Sequence, residues 1–425
     1  PWMSTDSLPT TAGNYYLVGD VTLPEGNVAI PDGVNICLNG NKINDGKKYA
    51  VYTEISVADS GTFSVTDCGT AGGFGNFDML DGKLVIYGGK IIKDSALRIN
   101  DGTSFLMTGN AQNEGVIVIK GSANFIMNGN AKNNGFISLL ETGGKGTAEI
   151  CGRADGGKVV VYQPKQDAKI HLSDNAKIPE MYAVAQCTIG LVMQNDAEIG
   201  KVKNLEFESP ELSGNAKLGS DDLIFSISTP TGSENTFTIG DDVELIGTVT
   251  IINKSATQLI LKDNASVKGS LTISNNAENV LFNIQDDVAI HGDLKCEGIA
   301  IYISTDDTII DGAIDIGDSR VVSGKLTCSG EIKSGSFNDE VVNSGKITGG
   351  IFYGTVTGTG IIEDSAKVDV VFNTDNDSNV TTQKILRGQK TTKPADLAKT
   401  GYSFGGWLNC SLVYNFDEPV IDDIA

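Results

Sequence analysis

The sequence is short of the residues that enzymes most often use for catalysis. It has two histidines, His171 and His291, among 425 residues, and two tryptophans. Neither histidine belongs to a serine or cysteine motif, so schemes that need a general base or an activated nucleophile lack parts. No glycine-rich phosphate loop occurs either. We therefore expect no catalytic site and no cofactor.

Long apolar runs and positive charge are also scarce. No segment approaches the roughly 20 apolar residues of a membrane span, and the first residues lack the basic region and apolar core of a signal peptide. Lysine and arginine number 32 against 54 acidic residues, which gives a net charge of −22. Such a charge repels nucleic acid and anionic lipid. We expect no nucleic-acid partner and no membrane insertion, with any export signal or anchor outside this segment.

The cysteines form no recognisable framework. They are scattered along the chain without a CxxC pair or the spacing of a zinc site. An odd, dispersed set is a poor disulfide framework for a secreted protein, so we expect small side chains buried inside the fold. The seven are Cys37, Cys68, Cys151, Cys187, Cys296, Cys328 and Cys410.

A short repeat is the main signal that is present. Two apolar residues stand two positions apart, and after one further residue come Gly or Asp, then Asn or Asp, then Ala or Val, as in Phe-Leu-Met-Thr-Gly-Asn-Ala ending at Ala111. Nine copies occur 19 to 27 residues apart, anchored on the residue before the Ala or Val. The anchors are Asn110, Asn130, Arg153, Asn175, Asp196, Asn215, Asp242, Asn264 and Asp287.

This repeat predicts an all-β fold. Alternating apolar residues indicate a strand with one face inward. Gly, Asn and Asp indicate a corner, because they tolerate left-handed backbone conformations. One such coil cannot bury its own apolar face, so coils must stack. We predict a parallel β-helix, that is a β-solenoid, of right-handed sense over residues 46–365, with residues 1–45 as an N-terminal cap and first coil.

The N-terminal segments Leu8–Leu23, Ile36–Ile43 and Val65–Gly69 resemble the opening of large surface proteins of anaerobic Gram-positive gut bacteria. The resemblance spans residues 1–75 and implies a parallel β-helix of the pectate-lyase-like type. It also implies an extracellular location at the cell surface.

The C-terminal residues carry a second, sharper resemblance. A Gly-Tyr-x-Phe-x-Gly-Trp core at residues 401–407, preceded by Arg387-Gly388-Gln389, is similar to the internalin-type B repeat, or Listeria–Bacteroides repeat. The resemblance implies a small β-grasp-like module over residues 366–425, here incomplete because the family pattern continues with one more strand. From the residues themselves, Tyr402, Phe404 and Trp407 predict a small aromatic core, with an exposed sugar-stacking role for Trp407 as the alternative.

Most candidate polar sites have a structural interpretation. Of four aspartate pairs, two occupy the repeat corner and so are expected to be turn residues. Asn110, Asn130, Asn175, Asn215 and Asn264 share one coil position and predict a ladder of stacked amides. The long spacing after Asn215 contains a loop at residues 228–235 that is either a plain insertion or a binding loop. The aspartate pairs are Asp221-Asp222, Asp241-Asp242, Asp286-Asp287 and Asp306-Asp307.

Calcium is left open. Residues 375–379 begin like a calcium loop but lack its Gly and its final Glu, and Asp311, Asp315 and Asp318 are candidates to gather at one coil edge. The residues of any metal site are therefore unknown at this point.

The function expected from these features is that of a non-catalytic cell-surface rod with a structural or adhesive role. Its candidate ligands are host or dietary glycans, or partner surface proteins. Two alternatives remain: a polysaccharide-degrading enzyme of the β-helix type and a dedicated carbohydrate-binding module. An enzyme should bring two carboxylates and a basic residue together from adjacent coils, whereas a binding module should expose aromatic side chains in a row.

Overall fold

The structure is a computed structural model that describes residues 1–44, 53–69, 71–140, 147–162, 168–228, 236–275, 280–297, 300–303, 309–317, 321–374 and 380–424. It is all-β, with 2% helix, and forms a parallel β-solenoid of about 13 turns with small antiparallel pieces at the C-terminus. The chain divides into two compact units, one of residues 1–228 and 241–250 and the other of residues 229–240 and 251–425. The predicted fold class is confirmed, while the handedness and the three predicted domain boundaries remain predictions.

The repeat corners have the predicted backbone conformation. At each of the nine copies, the residue before the anchor has a positive φ, for example 63° at Gly109 and 59° at Asp174. The Ala or Val after each anchor is almost completely buried, as at Ala111 and Val243 with 0% exposure. The corner therefore turns the chain inward at a small side chain. The residues with positive φ are Gly109, Gly129, Gly152, Asp174, Asn195, Gly214, Asp241, Asp263 and Asp286.

In the first unit, strands of successive coils pair in parallel along three ladders. Ladder A contains Trp2–Thr5, Gly13–Leu17, Val34–Cys37, Thr62–Thr66, Lys83–Ile86, Ser104–Met107, Asn124–Met127, Thr147–Ile150 and Lys169–Leu172. Ladder B contains Val21–Thr22, Lys42–Asn44, Gly73–Phe74, Lys90–Ile91, Gln112–Asn113, Lys132–Asn133 and Lys177–Ile178. Ladder C contains Gly26–Ile30, Thr53–Val57, Phe77–Asp81, Ala96–Ile99, Val116–Lys120, Phe136–Leu140 and Lys158–Tyr162.

The later strands of this unit are longer and run through corners. Glu180–Met193, for example, pairs with Lys158–Tyr162 of ladder C near its start and with Lys169–Leu172 of ladder A near its end. The long strands are Glu180–Met193, Glu198–Leu212, Lys217–Ile227 and Glu244–Asn253, the last of which has residues in both units. A short 3₁₀ turn is present at Ala58–Ser60.

The second unit also has three ladders. Ladder D contains Thr236–Ile239, Gln258–Leu261, Leu281–Ile284, Ala300–Ile303, Val321–Ser323, Ser336–Phe337 and Ile351–Phe352. Ladder E contains Ser266–Lys268, Ala289–Ile290, Ile309–Ile310, Leu326–Cys328, Val341–Asn343 and Val356–Thr357. Ladder F contains Leu271–Asn275, Leu294–Glu297, Ile314–Asp315, Glu331–Ile332, Lys346–Ile347 and Ile361–Ile362.

The core of each unit is a set of columns in which like side chains stack from coil to coil. Phe105 and Phe125 are in register, with ring centroids 5.3 Å apart. Phe337 and Phe352, on the shorter coils near the end, stack at 4.9 Å with an interplanar angle of 10°. All four rings are at most 1% exposed, so each coil closes the apolar face that its neighbour leaves open.

The predicted amide ladder was wrong in its position. The corner asparagines are exposed, and the amides of Asn175 and Asn215 donate to the Asp196 carboxylate rather than to each other. Buried amides stack instead in ladder B, where Asn113 Nδ2 donates to Asn133 Oδ1 at 2.6 Å and Asn133 Nδ2 donates to the next coil. An amide two residues after the buried Ala points inward, whereas the corner itself faces solvent.

The prediction of free, buried cysteines was wrong in part. Cys37 and Cys68 form a disulfide, with Cα atoms 5.9 Å apart. They lie on successive coils, because Cys37 pairs with Thr66 in ladder A and Cys68 follows two residues later. Cys296 and Cys328 are buried thiols as predicted, but Cys410 is exposed. Stacking of coils brings together cysteines that are distant in sequence, which spacing alone does not reveal.

The C-terminal module of the second unit follows a 3₁₀ turn at Asp364–Ala366. Lys367–Phe372 pairs antiparallel with Thr381–Leu386, and Leu408–Asn409 pairs antiparallel with Leu412–Val413. Ile424 bridges to Val370 in parallel. Lys367–Phe372 therefore has an antiparallel partner strand and one parallel bridge.

The aromatic core of this module differs in one residue from the prediction. Trp407 is 9% exposed and meets Phe372 edge-on, with ring centroids 5.2 Å apart. Phe404 packs against the same tryptophan, but Tyr402 is 75% exposed, with Lys399 Nζ 4.9 Å from its ring centroid. Tyr414 and Phe416 complete the core instead. The predicted core role of Trp407 is therefore confirmed.

Candidate ligand-binding face

Ladder C places one set of side chains inward and the alternate set outward. Ile117, Ile137 and Val159 point into the first unit and are at most 1% exposed. The residues between them lie on the outer surface, where the in-register pairing of parallel strands aligns them from coil to coil. The outer surface of this ladder therefore consists of straight columns of side chains.

The central coils of this surface carry apolar and aromatic side chains. Phe136 is 42% exposed, Leu140 36% and Tyr162 41%, and Leu140 lies directly beside Tyr162 in the ladder. Val118 and Tyr182 are half-buried at the two ends of the column between them, while Ser138 and Val160 in the middle of that column are only 6% and 3% exposed. We call the five residues Phe136, Leu140, Tyr162, Val118 and Tyr182 the aromatic face. Ring faces on a flat sheet provide apolar area with little conformational freedom to lose, which suits ligand binding.

A shallow concavity of about 690 Å³ adjoins Phe136. Its lining includes Asn134, Lys158, Glu180 and Lys201. Hydrogen-bond donors and acceptors therefore surround one exposed ring, a combination that orients a polar ligand while the ring supplies contact area.

The charges beside Phe136 are arranged around one carboxylate, that of Glu180. Glu180 accepts from Lys203 at 3.2 Å and lies 3.2 Å from Lys158 Nζ. The hydrogen bonds from Lys203 and Lys158 hold the pKa of Glu180 below its usual value. Two lysines thus share one acid, which leaves a local excess of positive charge in a chain with a net charge of −22.

The earlier coils of ladder C carry a mixed polar cluster on their outer surface. Glu54, Asp78 and Arg98 occupy one column on three successive coils. Burial raises the pKa of the Asp78 carboxyl, although the nearby charges of Lys120 and Arg98 oppose that rise. Asp78 Oδ1 is buried and lies 3.7 Å from Arg98 Nη1, beyond hydrogen-bond reach. Two acids and a base therefore meet on adjacent coils.

A second cluster lies in the second unit and is stacked at one coil corner. His291 Nδ1 lies 2.8 Å from Asp311 Oδ2, and the Ser329 hydroxyl donates to the other oxygen of the same carboxylate. The bond from Ser329, followed by that with His291, lowers the pKa of Asp311. Because Asp311 occupies both neighbours, the serine is not paired with the imidazole as a nucleophile requires.

The corner aspartates have the predicted turn role. Asp241 and Asp286 are left-handed corner residues. Asp241 also accepts a hydrogen bond, at 2.8 Å, from the amide of the preceding corner residue, Gly214. Asp174 does the same for Gly152 at 3.1 Å. Each carboxylate thus stabilises the backbone of the coil beside it.

The other predicted positions lie apart from these clusters. His171 projects outward from ladder A, 3.4 Å from Gln194, and Asp221 pairs with Lys201 at 3.1 Å. Asp315 accepts from Ser334 and shares no partner with Asp311. Outside the described residues lie Asp306, Asp307, Asp318 and residues 229–235 and 375–379.

Sequence reasoning missed the residues of ladder C. The repeat is anchored on ladder A and its corner, whereas Glu54, Asp78, Arg98, Phe136 and Tyr162 lie on a strand about half a coil away. A signal for them does exist, because an outward residue precedes a buried one at the matching position of each coil, as in Asp78-Met79 and Arg98-Ile99. Aligning the coils on that second strand would have found the columns.

Among the described residues, no group of three or more His, Cys, Asp or Glu side chains is placed to hold a metal ion. Within the same part of the chain, no helix is long and apolar enough to cross a membrane.

The fold and the outer surface of ladder C together define a parallel β-solenoid with a candidate binding face. Residues 369–424 match the family model of the Listeria-Bacteroides repeat domain, in agreement with the resemblance of the C-terminal segment. No curated protein and no solved structure matches the chain. The family match thus concerns the C-terminal module.

Proposed function

We propose that the chain is a non-catalytic β-solenoid of a bacterial cell-surface protein, with a structural and adhesive role, and that it binds glycans through the aromatic face. One observation carries the proposal: Phe136, Leu140 and Tyr162 are large apolar side chains held 36–42% exposed on the flat outer surface of a parallel sheet. Leu140 and Tyr162 are direct neighbours in the ladder, and exposed apolar side chains with a polar rim mark interaction sites.

The chemistry of the rim favours a glycan over a partner protein. A sugar ring presents an apolar face for stacking and hydroxyl groups for hydrogen bonds at its edge. Phe136 offers the ring surface, while Asn134, Lys158 and Glu180 line the adjoining concavity. A partner protein would need a larger apolar core than these five residues provide.

Two features support an extracellular location. Listeria-Bacteroides repeat domains occur in surface proteins, and residues 369–424 match that family. The Cys37–Cys68 disulfide suits an oxidising compartment, where such bonds persist.

The test is a glycan-array screen of the chain with and without calcium, followed by titration of any glycan bound. We expect the Phe136→Ala/Tyr162→Ala variant to bind at least about tenfold more weakly, a loss of roughly 1.4 kcal/mol. Tyr87→Ala is the matched control, because Tyr87 is 54% exposed but follows a strand of ladder A. Equal affinity of both variants, or capture of a protein in place of any glycan, would contradict the proposal.

A second candidate function is depolymerisation of a polysaccharide. The Glu54–Asp78–Arg98 column is the specific observation in its favour, because a carboxyl with a raised pKa beside a second carboxylate is the equipment of a glycosidase. It ranks second because the Asp78 side chain is 17% exposed and one of its oxygens is buried. Hydrolysis of a pectin-like polymer that Asp78→Asn abolishes would reverse the ranking.

A further inference from the structure

The last strand of ladder D has an edge that the solenoid itself does not cover. Ser336 and Phe337 pair with Ile351 and Phe352 on one side. On the other side the peptide groups of Phe352 point away from the coil stack. An edge of this kind attracts another strand unless something blocks it.

The C-terminal module supplies the hydrogen bonds that a further coil would supply. The Phe352 N–H donates to the Arg387 carbonyl at 2.7 Å. The side-chain amide of Gln389 donates to the carbonyl of Phe352 at 2.5 Å and to that of Gly354 at 2.7 Å. We call Ile351–Phe352 and the two residues after it the last rung. Three of its backbone groups thus find partners in one short loop of the module.

The residue between these two, Gly388, brings the loop into direct contact with the rung. Its φ is +90°, and a Cβ at this position would lie 2.6 Å from the Phe352 nitrogen and 2.7 Å from its oxygen. Any other residue would have to push the loop away from the rung, besides being strained in this conformation.

The loop is held in shape by the module. The Gly388 N–H donates to the Val420 carbonyl at 2.7 Å, and the Val420 N–H donates to the Gln389 carbonyl at 2.9 Å. Val420 is 5% exposed and belongs to the core that contains Trp407. Folding of the module therefore presets the three residues that meet the rung.

We propose that the C-terminal module is the end cap of ladder D: it occupies the strand edge at Phe352 and so prevents that edge from pairing with a strand of a second copy of this chain. This role is independent of any ligand on the aromatic face. It assigns a function within this chain to the motif Arg387-Gly388-Gln389, which lies in the segment that matches the repeat family.

The experiment compares Gln389→Ala and Gly388→Val with Gln383→Ala in the full chain. Gln383 is a matched control, because its side chain also makes two hydrogen bonds, both to Thr392 inside the module. Self-association is followed by sedimentation velocity over a hundredfold range of concentration. Amide hydrogen exchange of the segment around Phe352 reports directly on the edge.

We expect Gln389→Ala and Gly388→Val to expose the edge, with exchange around Phe352 at least tenfold faster and self-association stronger than in the unsubstituted chain. Gln383→Ala should change neither measurement. The proposal fails if the first two variants keep the exchange rate and the association state of the unsubstituted chain, or if Gln383→Ala associates as strongly as they do. Near-ultraviolet circular dichroism verifies that the module is folded, and Gln389→Ala decides the outcome if Gly388→Val unfolds it.

Discussion

At the scale of single residues, each buried amide of ladder B stabilises the fold only while it keeps its hydrogen-bond partner on the next coil. Asn113 and Asn133 are 0% and 4% exposed, and each amide bonds to the next coil. In a low-dielectric interior such bonds are strong, but a group that loses its partner keeps the cost of desolvation. The column therefore favours one register of the coils.

Asn133→Ala should destabilise the first unit by about 1–3 kcal/mol, because it removes the acceptor of the shorter hydrogen bond of the Asn113 amide and the side-chain donor to the Gly156 carbonyl. The free energy of unfolding in urea measures this loss. Asn134→Ala, at the exposed neighbouring position, is the control and should cost less than about 0.5 kcal/mol. Equal losses for the two variants would show that the column contributes nothing specific.

The raised pKa of Asp78 predicts how the stability of the chain depends on pH. Its pKa is raised by burial, so the folded state binds a proton more readily than the unfolded state does. The stabilisation that this proton contributes is complete when the pH is below 3.8, the ordinary pKa of an aspartate. It is lost as the pH rises through the pKa of Asp78 in the folded state. Neutral Asp78→Asn should therefore melt a few degrees higher than the parent chain at pH 7, and the difference should vanish below pH 3.8. Melting curves at both pH values measure it, and a variant that is less stable at pH 7 would contradict the assignment of burial as the dominant cause.

At the scale of the coil, stacked aromatic side chains add to the aliphatic packing between neighbouring coils. Phe125 is completely buried and stacks on Phe105 of the preceding coil. Phe125→Ala should cost about 3–5 kcal/mol, because the rigid neighbouring coils cannot collapse into the cavity. Denaturant unfolding measures the cost, and Ile126→Ala, on the outer side of the same strand, should cost much less. A small effect of Phe125→Ala would mean that adjacent coils move together to fill the space.

The coil is also the scale at which sequence reasoning works best. Each corner repeats a local requirement, a left-handed residue followed by a small one, so the pattern at Gly109 and Ala111 can be recognised without knowing the fold. The same local logic predicted the burial of Trp407.

Properties that depend on contacts between coils were less accessible. Cys37 and Cys68 meet only because one coil is stacked on the next, and the stacked amides are Asn113 and Asn133 of ladder B rather than the predicted corner asparagines. Tyr402 was placed in the core although its ring lies outside. The aromatic face was missed for the same reason, since no local pattern shows which outward positions share a column.

At the scale of the whole molecule, charge is the dominant feature. A net charge of −22 produces self-repulsion that salt screens. Sodium chloride should therefore raise the melting temperature between low and physiological ionic strength. Calcium chloride at matched ionic strength should raise it equally where screening is the whole effect. An additional rise with calcium alone would reveal a specific site, for which residues 375–379 are the first segment to test by substitution.

The recurrence of one corner in successive coils has an evolutionary consequence. A duplicated turn presents the same edge and the same bend as the turn it was copied from, so it fits between its neighbours and leaves the downstream chain unchanged. An insertion of half a turn would rotate every later side chain to a different side. Unequal recombination can therefore lengthen or shorten this protein only in whole turns, and each added turn supplies one more outward strand on which selection can build a new specificity.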